Sequence, residues 1–323
     1  MRRTTLAATA AASLALAALV APAAQASAPT ELATHTRSTQ SVVAVDGAPV
    51  VIAARGVALH QRVQSARTRT SPNMTYHNGK ILIAPTIKAI FWGTSWATYT
   101  GDEISGIDAF WTGWRTSDYA SASTEYTGSN GKVTFNSTYQ GHIVDTSAAS
   151  GGSNSTTILN EVEKQVTLTH ITLAGDGSSV IPVYTDLPRG SAGYCAWHAS
   201  GTIGSTAVQF HFYWKLDGDP GCDPQDTSGL HSQGLAALAN VSGHEMSETV
   251  TDPNTSGLSG TAGWYDSKGA ENGDKCAWTF GAPLVTFSNG NQWKVQGEWS
   301  NAAYTAGTGY PNSSGQKGCL SGL

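Results

Sequence analysis

A histidine and two glutamates stand at helical spacing in residues 243–249 (GHEMSET), and these residue types bind metals and accept protons. Residues four apart share one face of an α-helix, so His244 and Glu248 can hold one ion together. Glu245 lies about 100° around the helix axis from His244. That is the place of the general base in the His-Glu-x-x-His motif of metallopeptidases. Here Glu248 stands where the second histidine of that motif would be.

A mononuclear catalytic site needs a third protein ligand and an open position. The following stretch, residues 263–276 (GWYDSKGAENGDKC), supplies Glu271 and Asp274. Gly273 lets the backbone bend between these two acids. Cys276 can fix the segment covalently, so this acidic loop is predicted to fold back under the helix.

The nitrogen and oxygen ligands of this set suit zinc, and another divalent ion is possible because carboxylates also accept harder cations. Asp252 and Asp266 are rival ligands, or carboxylates that orient His244. The predicted metal ligands are His244, Glu248, Glu271 and Asp274, and the predicted catalytic residue is Glu245.

A solvated acidic helix is the alternative interpretation, because a His-Glu-x-x-Glu string also occurs on ordinary surface helices. Leu230, Ala237 and Val241 share the side of the predicted helix that carries His244 and Glu248. Charged groups on a buried face need a partner, and a metal ion can be that partner.

Two further histidines, His198 and His211, are interpreted as structural. His198 follows Cys195 and can reach the site if a disulfide holds its loop near the helix. A Ser-His-Asp hydrolase is disfavoured because the chain lacks a G-x-S-x-G elbow. Most of the 10 tryptophans are predicted to lie in the core rather than on a sugar-binding surface.

The elements that must position these residues follow from the hydrophobic periodicity. The metal-motif helix is predicted over 228–252, ended by Pro253. Other helices are predicted after the capping box of Thr100 and Glu103 and over about 156–169. Strands are predicted at 80–92, 132–144, 180–185, 208–214, 284–287 and 292–299. This order predicts an α+β fold, α/β-like in its alternation, with helices packed on a mixed sheet.

The N-terminal residues predict export. A basic pair, an apolar run and a small-x-small pattern indicate a signal peptide over 1–26, hence a secreted, extracellular protein. Residues 27–72 are predicted to be a linker or propeptide, with a hairpin over 42–52 and a cleavable boundary at 67–72 (RTRTSP). Residues 73–323 are predicted to form a single globular domain. No later segment is apolar enough to span a membrane.

The net charge limits the classes of partner, and the cysteines indicate the redox state of the compartment. With a net charge of −5 and 13% charged residues, the chain lacks the basic surface that nucleic acid requires. Its four cysteines are predicted to form two disulfides in an oxidising compartment. Of the three connectivities, the sequence-neighbour pairing Cys195–Cys222 and Cys276–Cys319 is preferred. A four-cysteine zinc site is disfavoured because no C-x-x-C pair exists.

Several blocks of the chain together resemble the EXORDIUM-like, or phosphate-induced-protein, family of secreted proteins, including its bacterial relatives. The blocks are 76–82 (YHNGKIL), 91–93 (FWG), 244–248 (HEMSE) with 252–253 (DP), 264–265 (WY) and 271–276 (ENGDKC). The resemblance spans about 76–320. It implies an extracellular protein connected with cell growth, and it matches positions His244, Glu245, Glu248, Glu271 and Asp274. The element order is also similar to that of zincin metallopeptidases, in which a mixed sheet precedes the metal-binding helix.

The leading hypothesis is a secreted zinc-dependent metallohydrolase, specifically a metallopeptidase that acts on extracellular proteins or peptides. The alternative is a non-catalytic extracellular EXORDIUM-like protein that binds a cell-wall component or another partner, with its metal structural or absent. A third hypothesis is a plain structural secreted protein whose acids are surface groups.

Overall fold

The computed structural model describes residues 71–134, 136–253 and 261–322, together with the backbone of residues 54–58. The predicted signal peptide, the hairpin over 42–52 and most of the predicted linker lie outside these residues. Within the described part of the chain, no helix is long and apolar enough to cross a membrane.

The described chain alternates strands and helices before the metal-motif helix and has short strands after it. The strands are β1 (Ala54–Ala58), β2 (Thr75–Tyr76), β3 (Thr86–Trp92), β4 (Thr127–Gly128), β5 (Gly131–Lys132), β6 (Thr138–Asp145), β7 (Ser179–Pro188), β8 (Tyr194–Ile203), β9 (Thr206–Lys215), β10 (Trp264–Tyr265), β11 (Val285–Thr286), β12 (Gln292–Trp293), β13 (Glu298–Trp299), β14 (Tyr310–Pro311) and β15 (Lys317–Leu320). The helices are α1 (Glu103–Trp114), α2 (Asp118–Ser121), α3 (Ser155–Thr169), α4 (Gln233–Thr251), α5 (Asn272–Lys275) and α6 (Asn301–Ala306), with 3₁₀ turns at Thr94–Thr98 and Ala122–Glu125.

The main sheet is mixed and has six strands in the order β1-β8-β9-β7-β3-β6. Strands β6, β3, β7 and β9 run parallel to one another, and helices connect β3 to β6 and β6 to β7. β8 runs antiparallel to β9, and β1 runs antiparallel to β8. The predicted α+β class, with helices packed on a mixed sheet, is confirmed.

The two faces of the sheet carry different side chains because successive residues of a strand point to opposite faces. On one face, Trp197 of β8 and Phe212 of β9 pack with buried residues of α3 such as Val162. On the other face, His198 and His211 are buried toward α4, where His198 contacts Glu245 and His211 contacts Thr249. The sheet therefore has one apolar face and one face with polar groups under the metal-motif helix.

The metal-motif helix is shorter at its start than the predicted 228–252. The Oγ of Ser232 accepts a hydrogen bond from Leu235 N and caps α4. The same Ser232 donates from its backbone N and from Oγ to the carboxylate of Asp102, which fixes the cap from a distant part of the chain. Leu230, expected on the buried face, precedes the helix and is 54% exposed. The predicted stop agrees with the structure, since α4 ends at Thr251, before Pro253.

Strand β8 was not among the predicted strands. It forms a hairpin with β9 through Gly204 and Ser205, and Gly204 has a φ of 59°. A positive φ at the first central residue is what a type II′ turn requires, and glycine adopts it without strain. The Gly-Ser pair was thus a hairpin signal that the hydrophobic pattern alone did not reveal. The predicted strand 132–144 is also interrupted, because residues 133–137 separate β5 from β6.

Both preferred disulfides are present. Cys195 of β8 is joined to Cys222 in the segment between β9 and α4. Cys276, directly after α5, is joined to Cys319 of β15. The two bonds therefore tie the loops on either side of α4 to strands.

Glu298 on β13 is a buried carboxyl. Its Oε2 accepts a hydrogen bond from Ser123 Oγ at 2.5 Å, and its Oε1 has no hydrogen-bond partner among the described residues. Burial raises the pKa of Glu298 from 4.5 to about 8. Folding therefore favours the protonated, uncharged form of Glu298, because a charged carboxylate would be poorly solvated at this buried position.

This shift predicts a pH-dependent stability. A carboxyl whose pKa is raised by folding stabilises the fold fully below its unfolded pKa, and this stabilisation is lost as pH rises through the folded pKa. Between pH 5 and pH 8 the free energy of unfolding is expected to fall by a component on the order of 5 kcal/mol or less, at about 1.36 kcal/mol per pKa unit. Glu298→Gln should lack that component, whereas Glu163→Gln on α3 should keep it. Urea denaturation at several pH values measures how the free energy of unfolding of each protein changes with pH. The same pH dependence in wild type and in Glu298→Gln would contradict the raised pKa of Glu298.

Candidate metal centre

Three elements meet at one buried polar cluster. α4 contributes His244, Glu245 and Glu248, β8 contributes His198, and the start of α5 contributes Glu271. Each of these five side chains is at most 1% exposed. Asp274 of α5 lies at the border of the cluster, with its side chain 12% exposed.

One group of three ligand atoms joins the sheet to the helix. His198 Nδ1 lies 2.9 Å from Glu245 Oε2 and 3.5 Å from Glu248 Oε2. One nitrogen or oxygen atom of each of these three residues lies within 4.8 Å of the other two, so Nδ1 of His198 can either share an ion with the carboxylates or donate a hydrogen bond to them. His198 is therefore part of the cluster, whereas its sequence context predicted a structural histidine.

A second group joins the helix to the acidic loop. His244 Nε2 lies 2.9 Å from Glu248 Oε1 and 3.8 Å from Asp274 Oδ1. The short approach to Glu248 lacks hydrogen-bond geometry, and His244 Nε2 has no hydrogen-bond partner among the described residues. Because Glu248 belongs to both groups, it is the centre of the cluster.

Glu271 lies on the β8 side of the cluster. Its Oε2 is 3.9 Å from His198 Nε2, and its backbone N donates to Asp274 Oδ2 at 3.2 Å. The loop can come this close because Gly273 has no side chain. A Cβ at Gly273 would lie 3.0 Å from both Glu248 Oε1 and His244 Cγ.

The two rival acids belong to neither group. Asp252 Oδ1 accepts a hydrogen bond from Gly263 N at 2.7 Å. Asp266 forms an ion pair with Lys275 Nζ at 2.8 Å and accepts from the backbone N of Ala270. These contacts give both residues a role in shaping the acidic loop.

The charges of the cluster favour a bound cation. Four carboxylates, those of Glu245, Glu248, Glu271 and Asp274, face two imidazoles, so an excess of two negative charges would remain even if both histidines were protonated. Buried charges of one sign are costly unless they are paired or bind a metal. A divalent cation would offset part of this negative charge, and the mixed imidazole and carboxylate set fits zinc.

The amide of Gln296 fixes the tautomer of His244. Its Nε2 donates to His244 Nδ1 at 2.7 Å and to Gly273 O at 3.0 Å, while its Oε1 accepts from Trp278 N at 3.2 Å. A reversed amide would set oxygen against oxygen at Gly273 and nitrogen against N–H at Trp278, so the network assigns this orientation. Nδ1 of His244 is then the acceptor, and Nε2 carries the hydrogen of the neutral ring.

The tautomer of His198 is the opposite one. A carboxylate oxygen of Glu245 lies beside Nδ1, so Nδ1 is the donor and Nε2, which faces Glu271, is the ligand atom. The predicted ligand His244 reaches the cluster, but its Nε2 can bind an ion only after the Gln296 amide turns over. The geometry therefore favours His198 over His244 as the imidazole ligand.

Comparison of the chain with protein-family models, with curated protein sequences and with solved structures found no match in any of the three. The resemblance to the EXORDIUM-like family thus stays a prediction from the residues quoted above.

The two tautomers predict a ranking of histidine variants. His198→Ala and Glu248→Ala are expected to lower zinc affinity by at least about 100-fold, because each removes a ligand. His244→Ala is expected to lower it by about tenfold, the usual effect of a residue that orients a ligand. Zinc content by mass spectrometry and competition with a chromophoric chelator measure these affinities.

His170→Asn, at the left-handed C-cap of α3, is the matched histidine control and should bind zinc as wild type does. A loss of zinc in His244→Ala that exceeds the loss in His198→Ala would reverse the ligand assignment.

Proposed function

We propose that the protein is a secreted zinc-dependent metallopeptidase. The observation that supports this most directly is the position of Glu248 between two imidazoles, with Glu245 and Glu271 beside His198. Two disulfides, and no membrane-spanning helix among the described residues, are compatible with an extracellular protein. Extracellular proteins or peptides are the proposed substrates.

His198, Glu248 and Glu271 would hold the ion, and Asp274 would be a fourth oxygen donor. Zinc accepts this mixture of ligands, and another divalent ion would compete if more carboxylate oxygens bind. When bound, the ion supplies Lewis acidity and lowers the pKa of a coordinated water to about 7. The backbone N of Asp274 donates to Glu248 Oε1 at 2.8 Å, which orients the central carboxylate.

Glu245 would have two tasks. Its Oε2 holds Nδ1 of His198 at 2.9 Å and thereby sets the ligand tautomer of that ring. The same carboxylate would take up a proton from the attacking water and pass it to the leaving amine, as a general base and then a general acid. The contact with His198 shows that Glu245 lies on the side of α4 that faces β8.

A second function is favoured by the burial of the cluster. An ion enclosed by β8, α4 and α5 would tie these elements together even if no substrate reached it. In that case the chain would be a non-catalytic extracellular protein that binds a cell-wall component or another partner, with a structural metal. Exposure of the site to a peptide is what separates the two functions.

The Glu245→Gln variant tests whether Glu245 is the general base, without removing a proposed metal ligand. The amide keeps the size of the side chain but cannot take up a proton, so hydrolysis of an internally quenched peptide library is expected to fall by about 100-fold or more. Zinc stoichiometry should stay near that of wild type. The assay uses whichever form of the chain, intact or proteolytically processed, is active. Undiminished hydrolysis in Glu245→Gln would exclude this residue as the base.

Chelation tests the structural role of the ion. Removal of a ligand present at about 1,000 times its Kd costs about 4 kcal/mol of stability. For a domain of this size that corresponds to a fall in melting temperature of about 10 °C. Zinc should restore the melting temperature in both functions, but only a peptidase should regain hydrolysis. A melting temperature that does not respond to chelator would argue against any bound ion.

A further inference from the structure

The edge of the main sheet beside the metal centre is covered by a segment that precedes the globular domain predicted from the sequence. Strand β1 pairs antiparallel with β8, with residue 54 opposite Ala199, residue 55 opposite His198 and residue 56 opposite Trp197. β8 pairs with β9 on its other side. Without β1, β8 would be the edge strand of the sheet.

This edge passes directly beside the metal cluster. His198 stands next to Ala199, the last residue of the stretch of β8 that β1 covers, and its ring contacts Glu245 and Glu248 of α4. β1 also lies close to α4. A strand on this edge therefore runs along the boundary between β8 and α4, with one of its residues opposite His198. In antiparallel pairs such opposed residues have Cα atoms about 4.5–5.5 Å apart.

We propose that the edge of β8 is a binding site for extended peptides, and that residues 54–58 occupy this site in the full chain. An exposed strand edge offers unpaired N–H and C=O groups, which bind an extended chain through main-chain hydrogen bonds. The inference rests on the proposed peptidase function, to which it adds the direction and register of the substrate. A peptide antiparallel to β8 presents the bond next to its His198-opposed residue to the metal centre.

The covering strand belongs to the same chain, and this makes it an efficient competitor. A segment joined to its site competes at an effective concentration on the order of 1 mM. For a free peptide with a Kd near 10 µM, the apparent Kd in the full chain would then be roughly 100-fold weaker. A cut between residues 58 and 71 would remove this advantage. The sequence at 67–72 (RTRTSP) offers basic residues to trypsin-like enzymes.

The test uses the full chain with a recognition site for a sequence-specific protease inserted after Arg67. A fluorescent peptide of residues 51–60 (VIAARGVALH) is titrated into the protein before and after cutting, and binding is measured by anisotropy. Binding is expected to tighten by about 100-fold on cutting. Wild-type chain treated with the same protease is the control for the cut.

A second variant opens the edge without cutting. Gly56→Pro with Val57→Pro places proline at two successive positions of β1, one of which must present its N–H to β8 in an antiparallel ladder. The uncut double variant is expected to bind the peptide as the cut chain does. A peptide with the same two prolines has equal length and charge and should not bind any form.

The outcomes separate the edge site from the peptidase chemistry. Any of three results would overturn the proposal: the intact and cut chains bind the peptide equally, neither the cut chain nor the double variant binds it, or the proline peptide binds as well as the unmodified one. The peptide is also titrated with chelator present and into the Glu245→Gln variant, so that its binding is measured without hydrolysis. Tight binding after cutting, with no hydrolysis detected by mass spectrometry, would contradict the peptidase and uphold the edge site. Hydrolysis at the same rate in intact and cut chains would uphold the peptidase and overturn the edge site.

Discussion

The burial of Glu248 between two imidazoles is the constraint on which the rest of the structure depends. This carboxylate is 1% exposed, and its oxygens lie 2.9 Å from His244 Nε2 and 3.5 Å from His198 Nδ1. A buried carboxylate surrounded by further carboxylates is stable only if cations or hydrogen-bond donors reach it. The helix, the sheet and the acidic loop each contribute such a group, so all three elements meet at this carboxylate.

Polar groups extend from this centre through the interior on the far side of α4. Ser247 Oγ donates to Asn272 Oδ1, and Asn272 Nδ2 donates to Ser123 Oγ, which in turn donates to Glu298. Asn240 Oδ1 accepts from the backbone N of Gln296, the residue that orients His244. α4 is buried along its whole length from Gly234 to Thr251, and several of its polar side chains hydrogen-bond to other parts of the protein. Such a network fixes the rotamers of the cluster residues.

The same burial creates a conflict between stability and access. Excluding water strengthens the interaction of carboxylates with a cation, but an enclosed site admits no substrate. Paired strands at the sheet edge can resolve this conflict, because main-chain hydrogen bonds to β8 can be exchanged for those of another extended chain. The core need not change, since β9 and the disulfide from Cys195 hold β8 in place on its other side.

The sequence by itself determined the features that depend on local spacing and on residue type. The four-residue interval put His244 and Glu248 on one face, Pro253 marked the helix end, and the periodicities indicated helices on a mixed sheet. The preferred disulfides were also correct. Only the tertiary structure brought His198 beside Glu248 and Gln296 beside His244, because these residues come from segments far apart in the chain. It also decided the start of α4, through a cap held by Asp102, and the pairing of residues 54–58 with β8. Contacts between distant segments leave no periodic signal in a single sequence, so hydrophobic spacing could not reveal them.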